Sequence, residues 1–477
     1  MANLIEKVTK KKFWQLNPYV LVILSFIFVI LLGSFLVVLP ISQKNGQWGN
    51  YMDALFSAVS ATCVTGLCTY ADGIGNHLTF FGQLVLLLMI QVGGLGFVTV
   101  LTFFITLFAS KLQFRNRYLL SQMVGSTNFA DVVKFVRKLI LISFVAEFIG
   151  MLLGFPVFFT IYKNNPGQAV WVSLFTSVSA FNNAGFDLFG GTSLVLENGI
   201  IGTGSAAVAI PEWAHTYMSI YIMVLIIMGG ISFLVIIDLF TFKRINQWRA
   251  FTKIVLSTTA VLLAFGFLAF ILTDVVLTKD GMNVFQALFQ SVTLRTAGFA
   301  TYNQDNISLI GKVVSCGLMF IGGSPLSTAG GIKTTTAFMV LLAMYSYFRG
   351  KHVIAFKRTY SSNMIVKAMS LVFLGIGMII VALIFVASFE DKLNCQAIGL
   401  KTDKEAAIFF EIFSAFGTVG VSTGITPHIS LGSKIVLCFL MFFGRLGPMT
   451  FLQIFQANMD KKQTIHYEYV EEDFLIG

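Results

Sequence analysis

Four short stretches of the 477-residue chain set a glycine among small and hydroxyl-bearing residues: SATCVTGL from Ser60, SAFNNAGF from Ser179, TLRTAGFA from Thr293 and SAFGTVGV from Ser414. Aligned on Gly66, Gly185, Gly298 and Gly420, they recur at separations of 119, 113 and 122 residues, which marks an internal repeat. In the third, the leading serine stands one residue further from its glycine. None sets a nucleophile beside a base. What they offer is main chain: glycine lets the backbone present several carbonyl oxygens to one side, and carbonyls can replace the water shell of a cation. The candidate ligands are the carbonyls of Val64, Thr65, Gly66 and Leu67; Asn183, Ala184, Gly185 and Phe186; Thr296, Ala297, Gly298 and Phe299; and Thr418, Val419, Gly420 and Val421. A ring of Asp or Glu, expected in a divalent-cation pore, is missing, and Asp187 and Arg295 are single charges. The five cysteines have no metal-ligand spacing and the five histidines are scattered, so neither a zinc site nor an enzyme is expected.

The segments that must position these stretches belong to a membrane protein. The chain is 56% hydrophobic and only 11% charged, with a mean hydropathy of +0.83, whereas soluble domains carry about 25% charged residues. Residues 13–43, 73–110, 254–273 and 368–389 contain no Asp, Glu, Lys or Arg, and a membrane crossing needs roughly 20 such apolar residues. The first apolar run has no cleavage pattern after it and reads as a retained helix. Net charge is +10, but 21 of the 32 basic residues fall in Lys7–Lys12, Lys111–Lys138, Lys243–Lys253, Arg349–Lys367 and Lys461–Lys462. That bias marks the cytoplasmic side of the membrane, not a nucleic-acid surface.

Each glycine stretch has the same surroundings. A long apolar helix is expected first (18–40, 139–162, 254–273, 368–389), then a short mixed-polarity segment (50–62, 168–181, 281–294, 404–416), then the glycine stretch, then a second apolar segment (78–110, 216–240, 307–348, 430–459). About 12 helical residues reach only roughly 18 Å, so the short segment cannot span and the chain must return to the side it entered from. Non-helical backbone at membrane depth is tolerated where it lines a water-filled cavity. With two crossings per repeat, all four repeats run parallel, the loops enter from outside and both termini are cytoplasmic. The short helices would aim partially negative C-terminal ends at a shared centre.

Gly417-Thr418-Val419-Gly420-Val421 resembles the TVGYG filter of tetrameric potassium channels. Over nearly all of residues 14–477 the chain resembles the membrane subunit of the Trk/Ktr/HKT potassium-transport superfamily. The resemblance implies an all-α membrane protein of four M1–P–M2 repeats, with re-entrant pore loops arranged pseudo-fourfold around one ion pore. The expected organisation is a cytoplasmic N-terminus at 1–17, repeats at 18–110, 132–245, 250–348 and 363–459, and a cytoplasmic tail at 460–477. Glycine at all four ring positions is the family pattern associated with potassium preference, and Gly66 departs from the serine of sodium-selective members. The short lead before the first repeat favours the Ktr type, which lacks an extra N-terminal helix pair.

Gly322-Gly323-Ser324-Pro325 through Gly330-Gly331-Ile332-Lys333 breaks the third second-helix, whereas the other three contain no comparable interruption. The break resembles the intramembrane loop, here 321–334, that gates Ktr and Trk pores. Arg445 lies ten uncharged residues into one apolar stretch and fourteen before Asp460. It must face a cavity or a partner, such as Glu147, Asp238 or a carbonyl, and it matches the family arginine next to the gating loop. Gly93, Gly94, Gly96, Gly229 and Gly230 are read as helix-contact residues. Glu147 is assigned no transport role.

The chain has no nucleotide-binding motif, and the glycine-rich 322–333 segment interrupts a membrane helix rather than following a strand. The resemblance implies a homodimer in the bacterial plasma membrane, among its lipids. It also implies docking on a cytosolic RCK-type ring (KtrA/TrkA-like), which carries the nucleotide, with the acidic tail Tyr467–Gly477 meeting the partner protomer. Sodium activation occurs in some Ktr systems. The competing reading is a secondary symporter coupling potassium to sodium or protons. An intramembrane enzyme or a purely structural bundle predicts mid-membrane polar pairs that the sequence lacks.

Overall fold

The computed structural model describes residues 18–96, 129–162 and 165–448, apart from breaks at 192, 198, 202–203, 205–206, 243 and 279–280. The expected N-terminal segment, the end of the first unit after Gly96, most of the 111–138 connection and the tail lie outside the described residues. Helix dominates. α1 (Pro18–Val38), α2 (Tyr51–Thr62) and α3 (Phe80–Leu95) form a first group, and α4 (Phe129–Ile161), α5 (Pro166–Phe181), α6 (Glu212–Gly230) and α7 (Phe233–Thr241) a second. α8 (Ala250–Phe270, running into a π turn to Val276), α9 (Val284–Thr293), α10 (Leu309–Phe320) and α11 (Thr334–Phe348) make a third. α12 (Ser362–Phe389), α13 (Lys404–Gly417) and α14 (Leu431–Leu446) make the fourth. The chain is mostly rather than wholly α: residues 196–209 hold a three-stranded antiparallel ribbon and 354–359 a two-stranded one.

Three of the four short helices start where a side chain takes an orphan backbone N–H. Asn50 Oδ1 accepts from Met52 N at 2.9 Å and Asn165 Oδ1 from Gln168 N at 3.1 Å. At α9 the bond runs backwards, with Gln286 Oε1 accepting from Asn283 N at 2.9 Å, while Asp403 holds the extended N-cap position of α13. Such residues favour the N-cap because they replace the missing intrahelical partner. α3, α10 and α14 are capped likewise by Thr79, Ser308 and Ser430.

Val136–Ile161, Glu212–Gly230, Ala250–Val276 and Ser362–Phe389 are long and apolar enough to cross a membrane, and Val22–Val38, Phe80–Leu95, Leu309–Phe320 and Thr334–Phe348 are shorter apolar helices. Their outer faces expose large apolar side chains, including Phe28, Phe35, Phe144, Phe148, Phe265 and Phe373. In water that exposure is unfavourable; against hydrocarbon it is not.

Inside, each short helix packs against the second helix of another group. α3 contacts α5, α6 contacts α9, α10 contacts α13, and α14 returns to α2. Within a group, glycines let the second helix close on the end of its own short helix: a Cβ on Gly93 would overlap Thr62 O, one on Gly229 would overlap Phe181 O, and one on Gly444 would overlap Phe416 O. Each of these carbonyls stands four residues before a ring glycine.

Two helix expectations need correction. α4 begins at Phe129, ten residues before the expected 139, because Asp131, Lys134 and Arg137 end an apolar run without ending a helix. Interruptions are also not confined to the third group. The second group breaks between Gly230 and Phe233, and α14 stops at Gly447, whose φ is 78°. A hydropathy run cannot show such breaks, because the interrupting residues (Ile231, Gly447) are themselves uncharged.

Asp305 ties the third group to the fourth. Its carboxylate accepts from Lys401 N at 2.7 Å, Thr402 N at 2.8 Å and Thr402 Oγ1 at 2.5 Å. Burial pushes this carboxyl up, but the Lys401 and Thr402 donors and the nearby Lys312 ammonium outweigh it and hold it below the ordinary carboxylate range. A depressed folded pKa stabilises the fold above the unfolded value of about 3.9, and the contribution is lost as pH falls through the folded value. Asp305→Ala should therefore lower the thermal midpoint of the purified protein at pH 7, and the gap from wild type should close below about pH 4. Equal midpoints at pH 7 would show that the tie contributes nothing.

Candidate functional site

The four short helices end in one backbone path. Val64, Asn183, Thr296 and Thr418 have φ of 57°, 59°, 73° and 50°; Gly66, Gly185, Gly298 and Gly420, two residues on, have 101°, 69°, 83° and 94°. The intervening Thr65, Ala184, Ala297 and Val419 keep negative φ. This alternation allows neighbouring carbonyls to face one side of the strand, as a carbonyl cage requires. The N–H groups are used behind the turns. Thr65 N, Ala184 N and Val419 N each donate at 2.8 Å to the O of Ser60, Ser179 and Ser414, and Ala297 N donates to Thr293 O at 2.9 Å. Gly66 N and Gly420 N reach the hydroxyls of Ser60 and Ser414 at 3.0 and 3.1 Å.

The turns close on one another through main chain. A Cβ built on Gly66 would lie 2.6 Å from Ala184 O, on Gly185 2.8 Å from Ala297 O, and on Gly298 2.7 Å from Val419 O; on Gly420 it would overlap Thr65 O. Each glycine thus faces the carbonyl that precedes the glycine of the next turn, and the fourth returns to the first. Val64, Leu67, Phe186, Phe299 and Val421 are buried, so their side chains serve packing. The Thr65 and Thr418 hydroxyls are buried without a hydrogen-bond partner among the described residues. A cleft of about 330 Å³ opens over the ring, lined by all four glycines. Asp187 is the one carboxylate among its lining residues, held by a 3.0 Å bond from Phe189 N.

On the other face lies the 322–333 segment, between α10 and α11. A Cβ on Gly330 would overlap the Thr418 hydroxyl, and Gly331 lies against Gly322 and Gly417. Gly322 N donates to Ile332 O at 2.9 Å, closing the segment at its base. Gly323 packs on Ala329, and Lys333 Nζ donates to Ala329 O at 2.6 Å. Pro325 and Leu326 (φ 55°) form the turn. The broken ends of other second helices hold the segment: Ser324 N and Thr328 N donate to Gly230 O and Gly229 O at 3.2 Å, and Gly331 N donates to Gly444 O at 3.3 Å.

Arg445 completes the clamp. It donates to Thr328 O in the segment and to Gly93 O and Gly94 O at the end of α3, the last at 3.1 Å. Its partners are carbonyls. Asp238 is engaged by Thr252 Oγ1 at 2.6 Å and by Arg249 at 3.5 Å, and Glu147 by the amides of Gln91 and Asn182.

Residues 6–467 match the family model for TrkH, a cation transport protein. The chain belongs to the TrkH family. It is 33% identical to the potassium/sodium uptake protein NtpJ of Enterococcus hirae, over 97% of this chain and 98% of that one. It is 32% identical to the Ktr system potassium uptake protein B of Bacillus subtilis, with 96% of each covered. The solved potassium transporter TrkH of Vibrio parahaemolyticus superposes with a TM-score of 0.67 at 16% identity, covering 92% of this chain and 85% of that one. The family resemblance carried by the glycine stretches is borne out. With its series of apolar helices, this TrkH-family chain is a multi-pass membrane protein.

Three residues that hold the TrkH-family site together were given no site role by sequence reasoning. Thr328 Oγ1 donates to Gly229 O at 2.9 Å and to Phe181 O at 3.3 Å, joining the glycine-rich segment to the base of the second turn. Glu147 holds Asn182, the residue before the ring strand, with Asn182 Nδ2 donating at 2.9 Å. Arg295, a lone charge in the sequence, reaches Gly322 O at 3.5 Å. A buried charge beside a glycine turn was the available signal in each charged case, but its partner is remote in sequence.

Proposed function

We propose that this chain is the potassium-translocating subunit of an uptake system. The four helical groups are M1–P–M2 repeats, arranged pseudo-fourfold around one pore, and the four turns form its carbonyl filter. The observation that carries this reading is the cyclic main-chain contact from Gly66 through Gly185 and Gly298 to Gly420 and back to Thr65. A ring of carbonyls without charged side chains suits a dehydrated monovalent cation. The four short helices end at the ring, and their partial negative charge favours a cation there. The relatives named as potassium uptake proteins supply the ion.

In this reading the cleft and Asp187 face outside, and the termini and basic connections lie in the cytoplasm. The 322–333 segment, held by Arg445, is the gate beneath the filter. The chain works as a homodimer on a cytosolic RCK-type ring that binds the nucleotide, and sodium acts as an activator. The test is growth of a potassium-uptake-deficient bacterium at low potassium, with and without a cytosolic partner subunit. Rescue is expected; failure in both backgrounds, with the protein inserted in the membrane, overturns the reading. The symport alternative predicts a reversal potential that departs from that of potassium when sodium or protons are varied.

A further inference from the structure

Behind the fourth turn lies a carboxylate that the ring does not use. Glu411 stands on α13 nine residues before Gly420, and only 2% of it is exposed. Its Oε1 accepts a hydrogen bond from Thr426 Oγ1, while Oε2 is buried with no hydrogen-bond partner among the described residues. Thr426 Oγ1 lies 3.0 Å from Ser422 Oγ, and Ser422 Oγ accepts from Gly424 N at 2.9 Å. Ser422 and Thr426 both line the cleft beside Gly420.

The other quarters put no charge there. The same offset from the ring glycine falls on Ser57, Thr176 and Phe289, and the first two are buried hydroxyls without partners among the described residues. In the third quarter a neutral pair, Gln290 and Gln304, eight residues before and six after Gly298, bonds at 2.6 and 3.1 Å.

An ionised carboxylate can only accept. With Glu411 ionised, Thr426 gives its single hydroxyl proton to the carboxylate, and its oxygen is left to accept from Ser422. Each O–H dipole in this relay points its hydrogen toward Glu411 and leaves its oxygen on the cleft side. We propose that Glu411, acting through Thr426 and Ser422, sets the affinity of the cleft for a monovalent alkali cation. It is a positioning residue: it touches no ion, but it fixes the direction of two cleft-lining dipoles and adds a negative charge behind them. This rests on the carbonyl-cage reading of the ring.

Glutamine at 411 keeps the size, removes the charge and offers an N–H, which lets Thr426 accept and the relay reverse. In the full chain, expressed with its cytosolic partner in a potassium-uptake-deficient bacterium, Glu411→Gln should raise the KM for potassium about three- to tenfold, with the maximal rate within about twofold of wild type. A merely structural residue would lower the amount of protein and the maximal rate together and leave KM unmoved. Thr426→Val, which breaks the relay and keeps the charge, should give a smaller rise in KM. An unchanged KM in Glu411→Gln overturns the proposal. If that variant does not reach the membrane, an unchanged KM in Thr426→Val overturns it instead. A wild-type chain that fails to accumulate potassium in the same cells would be a failure of the transport reading, visible before any variant is compared.

Discussion

Alanine at Gly420 is expected to abolish potassium uptake while the protein still reaches the membrane. The added Cβ would overlap Thr65 O and lie 2.9 Å from Gly66 Cα. The φ of 94° adds strain, roughly 1–2 kcal/mol for a residue with a side chain. The neighbouring turn cannot step aside, because Thr65 N and Gly66 N are already bonded to Ser60 at 2.8 and 3.0 Å. Either a carbonyl leaves the ring or the ring widens, and both destroy the fit to one ion. Ion uptake measured against membrane protein content should fall at least about a hundredfold, which corresponds to about 2.7 kcal/mol. Gly66→Ser applies a milder form of the same insult, with its Cβ 2.6 Å from Ala184 O, and should weaken discrimination against sodium. Gly46→Ala is the control: its φ is 67°, but nothing lies within 4 Å of the new Cβ, so uptake should be retained. If Gly420→Ala transports like Gly46→Ala, the four turns do not form the filter.

If the 322–333 segment is the proposed gate, removing the guanidinium of Arg445 should leave uptake less dependent on the proposed cytosolic partner. Arg445 ties Thr328 O of the glycine-rich segment to Gly93 O and Gly94 O of α3. Hydrogen bonds from a charged donor are worth about 1.5–3 kcal/mol each, so losing even one shifts the balance between a held and a released segment by roughly tenfold or more. In the proposed pore, a fixed positive charge beneath the carbonyl ring would also oppose cation exit, and that barrier would go with it. Arg445→Gln keeps one donor and should lie between wild type and Arg445→Ala. The measurement is uptake with and without the regulatory subunit, alongside thermal stability, since unpaired carbonyls also weaken the fold. Unaltered transport with unaltered regulation would sink the gating role.

Much of this site is legible along the chain because its parts recur. Four glycines near a spacing of 118 residues, each after a half-length helix and each followed by a long apolar one, can be read without coordinates. Positive φ at the four ring glycines follows from local chemistry, since glycine adopts it at least cost, but positive φ at Val64, Asn183, Thr296 and Thr418 does not. The N-cap residues that start the short helices, Asn50, Asn165, Asn283 and Asp403, came only with the structure. Less legible were the breaks after Gly230 and at Gly447, because a helix that stops among apolar residues leaves no trace in hydropathy.

The class of the protein, the four ring glycines and the unusual position of Arg445 can be read along the chain, because composition, periodicity and glycine content act over a few residues at a time. Which residues meet is set by packing in three dimensions. Gly420 faces Thr65 across 355 residues, Arg445 meets Gly93 and Gly94, and Glu411 reaches the cleft through Thr426. Those pairings arise from helix packing at backbone distance, where glycine's missing side chain lets main-chain carbonyls from remote segments become neighbours. Carbonyl contacts carry no signature of partner in the chain, since every residue has the same carbonyl.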